Sequence, residues 1–422
     1  MSFRAPKGTQ DVLAPESARW EALVATFAAT VEAAGYGLVQ SPLFEDVGVF
    51  QRIGEGTDVV RKEMYDFEDK GGRRIALRPE GTASVARAYV QHRPALPWKA
   101  WYATPCFRYE QPQSGRLRQH HQVGLEAFGP TDPDLDVEVI TIGHDYLAAL
   151  GLQRVVLVLN SMGSRDDRAR YTAALRAFLE AHEDDLDAED QPKVAANPMR
   201  VLDSKRPATR EVTAAAPRIT EHLSDAAIVH FDRVQAGLSA ANVDFVLDPN
   251  LVRGLDYYTH TTFELQASAL DAAQSTVLGG GRYDGLVESL GGPPTPGVGF
   301  GSGIERVLLT CDAEGVFPAP AGRVDVFVVD VTGGDHARDL TTELRRAGVR
   351  TDRAFDGRSM KAQMKQADRS GAAFALIVGE QEAAAGTVAL RSMLGGEREQ
   401  TAVARGDVAQ EVLRRIGDGS SG

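Results

Sequence analysis

The sequence has few cysteines and no long apolar run, and each absence removes a class of protein. Cys106 and Cys311 are the only two cysteines among 422 residues, and they stand in unrelated segments. This argues against a disulfide framework or a cysteine-bound zinc ion, and it suits a reducing cytoplasm. No run approaches the ~20 apolar residues that a bilayer crossing needs, and the start of the chain lacks a secretory signal pattern. We therefore expect a cytoplasmic protein that is not bound to a membrane.

The sequence also lacks the phosphate loop GxxxxGK[ST] and a dinucleotide fingerprint at a strand-to-helix turn. It contains neither an internal repeat nor a low-complexity tract. Its composition is that of a globular protein, with 43% hydrophobic and 25% charged residues, which excludes disordered and fibrous classes. A chain of 422 residues is too long for one ordinary core, so two or three domains are expected.

Basic residues are outnumbered, and the formal net charge is −13. From Arg323 to the end there are 15 basic and 15 acidic residues, so the excess of acid lies before that point. This charge excludes a protein that coats DNA nonspecifically. It does not exclude one that grips RNA with local arginines, because the position of the charge matters more than its sum.

The residue pattern changes along the chain and divides it into domains. Residues 20–34 have apolar side chains at helical spacing. Residues 164–245 are rich in Ala, Arg and Asp, which predicts a mostly helical insertion. From residue 323, short apolar runs alternate with helical stretches such as 360–370, as in an α/β domain. We predict one domain of residues 1–163 and 246–318, an insertion of residues 164–245 and a C-terminal domain of residues 323–422.

The first polar motif, Arg78–Thr82, stands between a predicted strand and a predicted helix. Thr82 can cap that helix, and Pro94 ends it. One interpretation is a capped turn that happens to contain an acid. The other is that Glu80 and Thr82 stand at the carboxyl edge of a strand and hold the ammonium group of a substrate.

The second motif spans residues 101–129 and is predicted to be a strand, a polar loop and a strand. Side chains alternate across a strand, so the second strand has one apolar face, formed by Val123, Leu125 and Ala127. The opposite face carries Arg118, His120, Gln122 and Glu126, with Gly124 leaving open space. Arg108 and Glu110 are expected to share a face of the preceding strand. A solvated sheet face is the alternative, but arginine is concentrated here, and its fork fits phosphate oxygens.

Two further motifs carry tyrosines, glycines and arginines. Adjacent tyrosines such as Tyr257 and Tyr258 are ordinarily core residues, but Arg253 beside a glycine turn favours a pocket wall. The glycine-rich segments 279–285 and 290–303 are predicted to be loops before a helix, where the backbone can approach a ligand closely. Arg306 lies at the positive end of that helix, which indicates an anion there.

Taken together, these motifs resemble the three signature motifs of class II aminoacyl-tRNA synthetases, and in detail the histidyl-tRNA synthetase family. The resemblance covers nearly the whole of the first domain. It is carried, in order, by KGTQDVLAP, GYGLVQSPLFE, TDVVRKEMYDFED, LRPEGT, FRYE through HHQVGLEAFG, RGLDYYT, GGGRYDGL and GFGSGIERVLL. The C-terminal domain resembles the family's anticodon-binding domain.

The resemblance implies an α+β catalytic domain with an antiparallel sheet of six or seven strands flanked by helices, a helical insertion and a C-terminal α/β anticodon-binding domain. It implies a homodimer with the Pro42 segment near its interface. It also implies a two-step reaction, in which ATP activates histidine to histidyl-adenylate and the histidine is then transferred to the terminal adenosine of tRNA(His). Mg²⁺ is expected with the ATP phosphates, and neither a membrane nor DNA is an expected partner.

The resemblance also assigns roles to residues. Arg253 is expected to stabilise charge during the reaction, together with Arg108 and Arg306. The residues implied to bind ATP are Arg108, Glu110, Arg116 and Arg306. Those implied to bind histidine are Glu80, Gly81, Thr82, Gln122, Glu126, Tyr257, Tyr258 and Tyr283.

His120 and Gln111 depart from the family pattern, since an aromatic residue and an arginine are common at these positions. Three other functions compete with the family assignment. A regulatory subunit of histidine biosynthesis shares the fold but typically lacks the anticodon domain, and a synthetase for another amino acid would not need the acid Glu126. A noncatalytic RNA-binding module would leave the polar pocket unexplained.

Overall fold

The structure is a computed structural model that describes residues 3–54, 57–202, 204–270, 275–320, 324–393 and 399–419. The chain folds as two units, Met1–Pro318 and Ala319–Gly422. Among these described residues, no helix is both long enough and apolar enough to cross a membrane.

The first unit contains a large sheet, a small sheet and surrounding helices. Its strands are β1 (Gly37–Leu38), β2 (Phe44–Asp46), β3 (Tyr65–Glu68), β4 (Arg74–Leu77), β5 (Trp98–Phe107), β6 (Gln119–Phe128), β7 (Val155–Ser161), β8 (Phe245–Leu247), β9 (Thr259–Ala267), β10 (Thr276–Arg282) and β11 (Gly297–Gly303). Its helices are α1 (Glu16–Ala33), α2 (Val47–Gly54), α3 (Asp58–Arg61), α4 (Thr82–His92), α5 (Pro133–Ala149), α6 (Arg165–Ala181), α7 (Gln191–Ala196), α8 (Met199–Leu202), α9 (Pro207–Thr213), α10 (Asp225–Ala240), α11 (Leu286–Ser289) and α12 (Ile304–Glu314).

The large sheet has the order β1-β5-β6-β11-β10-β9-β7-β8 among the described residues. Its six inner strands pair antiparallel, and β1 and β8 add parallel pairs at the two edges. The expected antiparallel sheet is therefore confirmed, with one short parallel strand at each edge. The order β2-β4-β3 forms the small antiparallel sheet.

One face of the large sheet is apolar and carries the core. The predicted face of β6 is confirmed, since Val123 and Leu125 are fully buried there. The helix predicted over residues 20–34 is α1, which buries Leu23, Phe27 and Val31 in the same core. Alternation places every second side chain of each strand on this face, and these apolar side chains pack against α1.

The predicted insertion contains a separate small core. Helices α6 to α9 surround a cluster that includes Tyr171, Leu175 and Val201. Helix α10 differs from them, since its Phe231 and Val234 join the core of the large sheet. The boundary of the insertion stays a prediction.

The second unit is the α/β fold that its alternating pattern predicted. Its strands are β12 (Val326–Asp330), β13 (Thr351–Arg353), β14 (Phe374–Val378), β15 (Thr387–Ser392) and β16 (Gln400–Ala404), and its helices are α13 (Asp335–Arg346), α14 (Met360–Ser370), α15 (Glu380–Ala385) and α16 (Val408–Gly419). The sheet order is β13-β12-β14-β15-β16, in which β13, β12 and β14 run parallel and the last two pairs are antiparallel. The helix predicted over residues 360–370 is α14.

A buried ion pair joins β10 to α5 beneath the large sheet. Arg282 is completely buried and donates to both carboxylate oxygens of Asp136. It also donates to the carbonyls of Pro130 and Asp132 at 3.0 and 3.2 Å and to the carboxylate of Asp284 at 3.4 Å. Burial works against the charges, but the mutual attraction and hydrogen bonds raise the pKa of Arg282 and lower that of Asp136.

Removing Asp136 should therefore destabilise the first unit strongly. We expect Asp136→Ala to lower the free energy of unfolding by about 3–5 kcal/mol, because it leaves the buried guanidinium with only the longer contact to Asp284 as its charge partner. Asp134→Ala on the same helix breaks only an exposed pair with Arg233 and should have a small effect. Chemical denaturation of both variants tests this, and equal losses would show that the burial of the pair is not decisive.

Candidate active site

The polar face of the large sheet is open at its centre because glycines stand side by side on three strands. Strand register aligns Gly279, Gly301 and Gly124 on β10, β11 and β6. Glu264 of β9 continues this row on one side, and Tyr102 of β5 on the other. The row forms a floor without side chains between an acid and a phenol.

Both glycine-rich segments were predicted to be loops, and that prediction is wrong for residues 279–281 and 297–303, which lie in β10 and β11. Glycine is unfavourable in strands unless another group must approach closely. A Cβ atom on Gly279 would lie 2.5 Å from the guanidinium nitrogens of Arg253. One on Gly124 would overlap the ring of Tyr102. The glycines thus make room for side chains that cross the sheet.

Glu126 is the centre of a buried hydrogen-bonded cluster. It lies on β6, two residues beyond Gly124, and is fully buried. Its carboxyl group accepts hydrogen bonds from the hydroxyls of Thr82 at 2.6 Å and Tyr102 at 3.4 Å, and from that of Tyr283. Burial raises the pKa of Glu126 to about 8, although the bonds from Thr82 and Tyr283 oppose the shift. With these partners alone, the Glu126 carboxyl group is therefore mostly protonated at neutral pH.

Glu80, rather than Thr82, caps helix α4. The carboxylate of Glu80 accepts the backbone N–H groups of Thr82 and Ala83 at 2.7 and 2.8 Å. The prediction that the Thr82 side chain caps the helix is wrong, because its hydroxyl is engaged by Glu126. Burial raises the pKa of Glu80 in spite of these bonds. A ligand would meet two buried carboxyl groups linked through Thr82.

Three tyrosines form a wall beside this cluster. The rings of Tyr257 and Tyr258 are 4.7 Å apart between centroids, and those of Tyr257 and Tyr283 are 5.7 Å apart. Burial raises the pKa of all three hydroxyls. The family resemblance implied that these tyrosines share a pocket with Glu126, and in the structure they lie close together beside it.

A cleft of about 1200 Å³ adjoins the cluster and gathers the arginines. Arg108, Arg116 and Arg306 line it together with Glu110. The Arg116 Nε atom lies 2.6 Å from a Glu110 oxygen, and an Arg108 nitrogen lies 3.9 Å from the other. Arg306 donates to the carbonyl of Thr276 at 2.8 Å. Burial and the neighbouring Arg116 lower the pKa of Arg306, so the cleft is organised to receive negative charge.

Arg253 reaches the same cleft from the loop that follows β8. It forms an ion pair with Glu264 and lies over Gly279. Burial opposes its charge, but Glu264 and Tyr258 raise its pKa above the usual value. Glu264 and Thr276 were not among the predicted site residues. The alternation of residues 259–267 is the signal that could have found Glu264, because Phe263 and Leu265 mark the apolar face and Glu264 stands on the other.

The polar residues of β6 separate into different environments. His120 and Gln122 line the cleft, and burial, followed by Arg108, lowers the pKa of His120 well below its usual value, so that this imidazole is neutral. Arg118 precedes β6 and does not line the cleft. Its guanidinium lies 3.8 Å from the ring centre of Tyr109 and donates to the carbonyl of Glu110.

The insertion supplies one side of the cleft, which the sequence did not predict. Its lining residues are Leu202, Ser204, Lys205, Arg210, Thr213 and Ala214. The cleft is therefore wider than the glycine floor and has basic side chains on both sides.

Two family profiles match this chain. The profile described as Histidyl-tRNA synthetase matches residues 8–307, and that described as Anticodon binding domain matches residues 325–415. The histidine–tRNA ligase of Mycolicibacterium vanbaalenii is 49% identical over 421 residues, which is 98% of this chain and 99% of that protein. The histidine–tRNA ligase of Geobacillus kaustophilus is 44% identical over 428 residues, which is 99% of each.

Solved structures give the same result. The crystal structure of apo S. aureus histidyl-tRNA synthetase is 35% identical and superposes with a TM-score of 0.81, covering 97% of this chain and 100% of that one. The expected catalytic fold and C-terminal anticodon-binding domain are thereby confirmed.

The raised pKa of Glu126 makes stability depend on pH when the pocket is empty. A carboxyl group with a raised pKa in the folded state contributes stability below its ordinary value of 4.5 and loses that contribution as pH rises through about 8. The free energy of unfolding should fall across this range by up to roughly 1.4 kcal/mol per pH unit. Glu126→Gln should flatten this fall when thermal or chemical unfolding is followed at steps across the range. A wild-type slope in the variant would contradict the shift.

Proposed function

The chain belongs to the histidyl-tRNA synthetase family and is an ATP-dependent histidine–tRNA ligase, and we propose that the glycine-floored cleft and the Glu126 cluster are its active site. The single observation that carries this proposal is the meeting of arginines and buried carboxyl groups on one sheet face. The arginine side suits the phosphates of ATP, and the carboxyl side suits an amino acid with a basic side chain.

Glu126 recognises the imidazole of histidine in this proposal. An imidazole offers an N–H donor, and a buried carboxyl group without such a partner stays protonated. Tyr257, Tyr258 and Tyr283 enclose the ring with their aromatic faces and hydroxyls. An apolar side chain would leave this buried acceptor unpaired, which is the physical basis for rejecting other amino acids.

The amino group of histidine is assigned to Glu80 and Thr82, next to Gly81, with Gln122 closing the pocket towards ATP. Each Glu80 oxygen already accepts one helix N–H, and a carboxylate oxygen has a second lone pair for an ammonium donor. A side chain on Gly81 would overlap the ring of Tyr102, so glycine at this position lets Tyr102 pack against the turn.

The first half-reaction joins the two sides of the site. An oxygen of the histidine carboxylate forms a bond to the α-phosphorus of ATP while the bond to the pyrophosphate oxygen breaks. Arg253 and Arg108 stabilise the charge that develops at the α-phosphate. The departing phosphates are positioned by Arg306 and by Arg116, which Glu110 holds in place. A terminal ribose hydroxyl of tRNA(His) then attacks the adenylate carbonyl and displaces AMP.

Mg²⁺ is assigned to the ATP phosphates rather than to a protein cage. No group of three or more metal-ligating side chains occurs in the described ranges. Of the acids that line the cleft, Glu110 pairs with Arg116, Glu264 with Arg253 and Glu305 with His121. Because Mg²⁺ keeps several water and phosphate ligands in such sites, it would enter with ATP, and these residues do not form a site for it.

The remaining assignments concern assembly and location. A homodimer is supported by exposed apolar side chains around Pro42, namely Leu38, Leu43 and Phe44. Scarce cysteine supports a cytoplasmic location. Residues 1–163 with 246–318 are assigned to catalysis, residues 164–245 to the insertion and residues 323–422 to anticodon binding. The convergence of Arg108, Arg253 and Arg306 opposes a noncatalytic regulatory subunit.

Exchange of pyrophosphate into ATP tests the proposed specificity. Each amino acid is supplied alone, and we expect exchange with histidine only. Glu126→Gln should raise the KM for histidine by roughly 10-fold or more, while the KM for ATP changes little, because a buried hydrogen bond to a charged group is worth about 1.5–3 kcal/mol. Unchanged histidine kinetics would remove Glu126 from the recognition site.

The role of Arg253 is tested separately. Arg253→Ala should slow adenylate formation by roughly 10²-fold or more while leaving the affinity for tRNA(His) largely unchanged. Single-turnover adenylate formation and filter binding of tRNA measure the two quantities. An equal loss of both would mean that Arg253 is structural.

A further inference from the structure

Glu264 has an unusual set of partners for an acid in a phosphate-binding cleft. Its Oε2 atom accepts hydrogen bonds from the hydroxyl of Thr276 at 2.7 Å and from the amide of Gln266 at 2.9 Å. Its Oε1 atom faces Nη1 of Arg253. Two neutral donors on β9 and β10 therefore fix the carboxylate independently of Arg253, and one oxygen remains for the guanidinium.

Arg253 needs such an anchor because its backbone lies outside the sheet. The residues between β8 and β9 are a loop and turns, so no ladder of hydrogen bonds fixes the Arg253 backbone. Its side chain extends over Gly279, the register partner of Glu264. Burial works against the carboxylate of Glu264, but Arg253 and Thr276 lower its pKa, so it is ionised at neutral pH.

The Nε atom of Arg253 is buried and has no hydrogen-bond partner in the part of the chain that the structure describes. A buried unpaired donor is costly unless a ligand completes it. Glu264 therefore holds the guanidinium through one terminal nitrogen, Tyr258 gives it a second side-chain partner, and among the described residues Nε is left unpaired.

Thr276 extends the same network to a second arginine. Its hydroxyl donates to Glu264, and its carbonyl accepts from Arg306. Arg306 is thereby hydrogen-bonded directly to Thr276, and Arg253 is connected to Thr276 through Glu264. The anchors of the two arginines are therefore linked through the adjacent strands β9 and β10.

We propose that Glu264, held by Thr276 and Gln266, is a positioning residue that orients Arg253 for adenylate formation. This inference rests on the proposed role of Arg253 at the α-phosphate. Glu264 does not touch the reacting atoms, so its loss should lower kcat for adenylate formation and leave histidine binding intact. Because it acts through Arg253, it should have little further effect once Arg253 is absent.

A double-mutant cycle in the full-length protein tests this inference. Pyrophosphate exchange is measured for the wild type, Glu264→Gln, Arg253→Ala and the double variant, with kcat and the KM for histidine determined for each. We expect Glu264→Gln to reduce kcat by roughly 10²-fold, with the KM for histidine within about twofold of wild type. In the Arg253→Ala background, Glu264→Gln should change kcat less than about threefold.

Two further variants separate positioning from folding. Thr276→Val removes one donor to Glu264 without changing a charge and keeps the carbonyl that holds Arg306, so we expect a smaller loss of kcat, about 10-fold, at an unchanged KM. Glu138→Gln removes an acid that pairs with Lys99 and Tyr36 on another part of this unit, and it should leave exchange unchanged. Thermal unfolding of each variant confirms that the fold is retained.

Three results would overturn the inference. Equal losses from Glu264→Gln in the presence and absence of Arg253 would show that Glu264 acts independently, while the role of Arg253 would stand. A faster Glu264→Gln enzyme would mean that the carboxylate restrains the arginine. Unchanged exchange in Arg253→Ala would overturn the role of Arg253 together with that of Glu264.

Discussion

The burial of the Glu126 carboxyl group is the constraint that organises the site. Transferring a carboxyl group into a protein interior is costly unless donors surround it. The donors come from Thr82, Tyr102 and Tyr283, which belong to three distant parts of the chain. The sheet register must therefore be correct before Glu126 is satisfied, and the glycines of neighbouring strands must leave room for the rings that reach it.

The arginine side of the site obeys the opposite constraint. Gathering Arg108, Arg116 and Arg306 in one partly buried cleft is unfavourable without a counter-charge, since burial and then repulsion from Arg116 lower the pKa of Arg306. The carboxylate of Glu110 lies between two arginines, and that of Glu264 lies between an arginine and two neutral donors. Each carboxylate therefore offsets part of this repulsion. The remaining positive charge is left for a polyanion. A site prepared in this way stabilises developing phosphate charge without reorganising.

The sequence predicted the features that depend on local periodicity. The alternation of β6 identified both its apolar face and the polar set that includes Gln122 and Glu126, and helix α14 was predicted at its observed ends. The same reasoning failed for Gly279–Gly281, because strand preference ordinarily excludes glycine and the cause of its presence, the crossing side chain of Arg253, is a contact between distant residues. It also failed for the cap of α4. Glu80 accepts the backbone N–H of Thr82 while Glu126 accepts its hydroxyl, and the contact with Glu126 exists only in the folded chain. The assigned roles of the site residues are carried by family resemblance, since composition and spacing alone left each motif open to a structural interpretation.

An antiparallel sheet suits this chemistry because register, rather than side-chain length, determines which residues are cross-strand neighbours. Glu264, Gly279, Gly301, Gly124 and Tyr102 are successive cross-strand neighbours, and neighbouring strands lie about 4.8 Å apart. The three central glycines thus span roughly 10 Å, and the side chains of Arg253 and Tyr102 lie over the two outer ones. The apolar core on the opposite face holds these strands in place. A shift of one residue in any of them would move its polar residues into that core, so the energy that folds the sheet also maintains the geometry of the site.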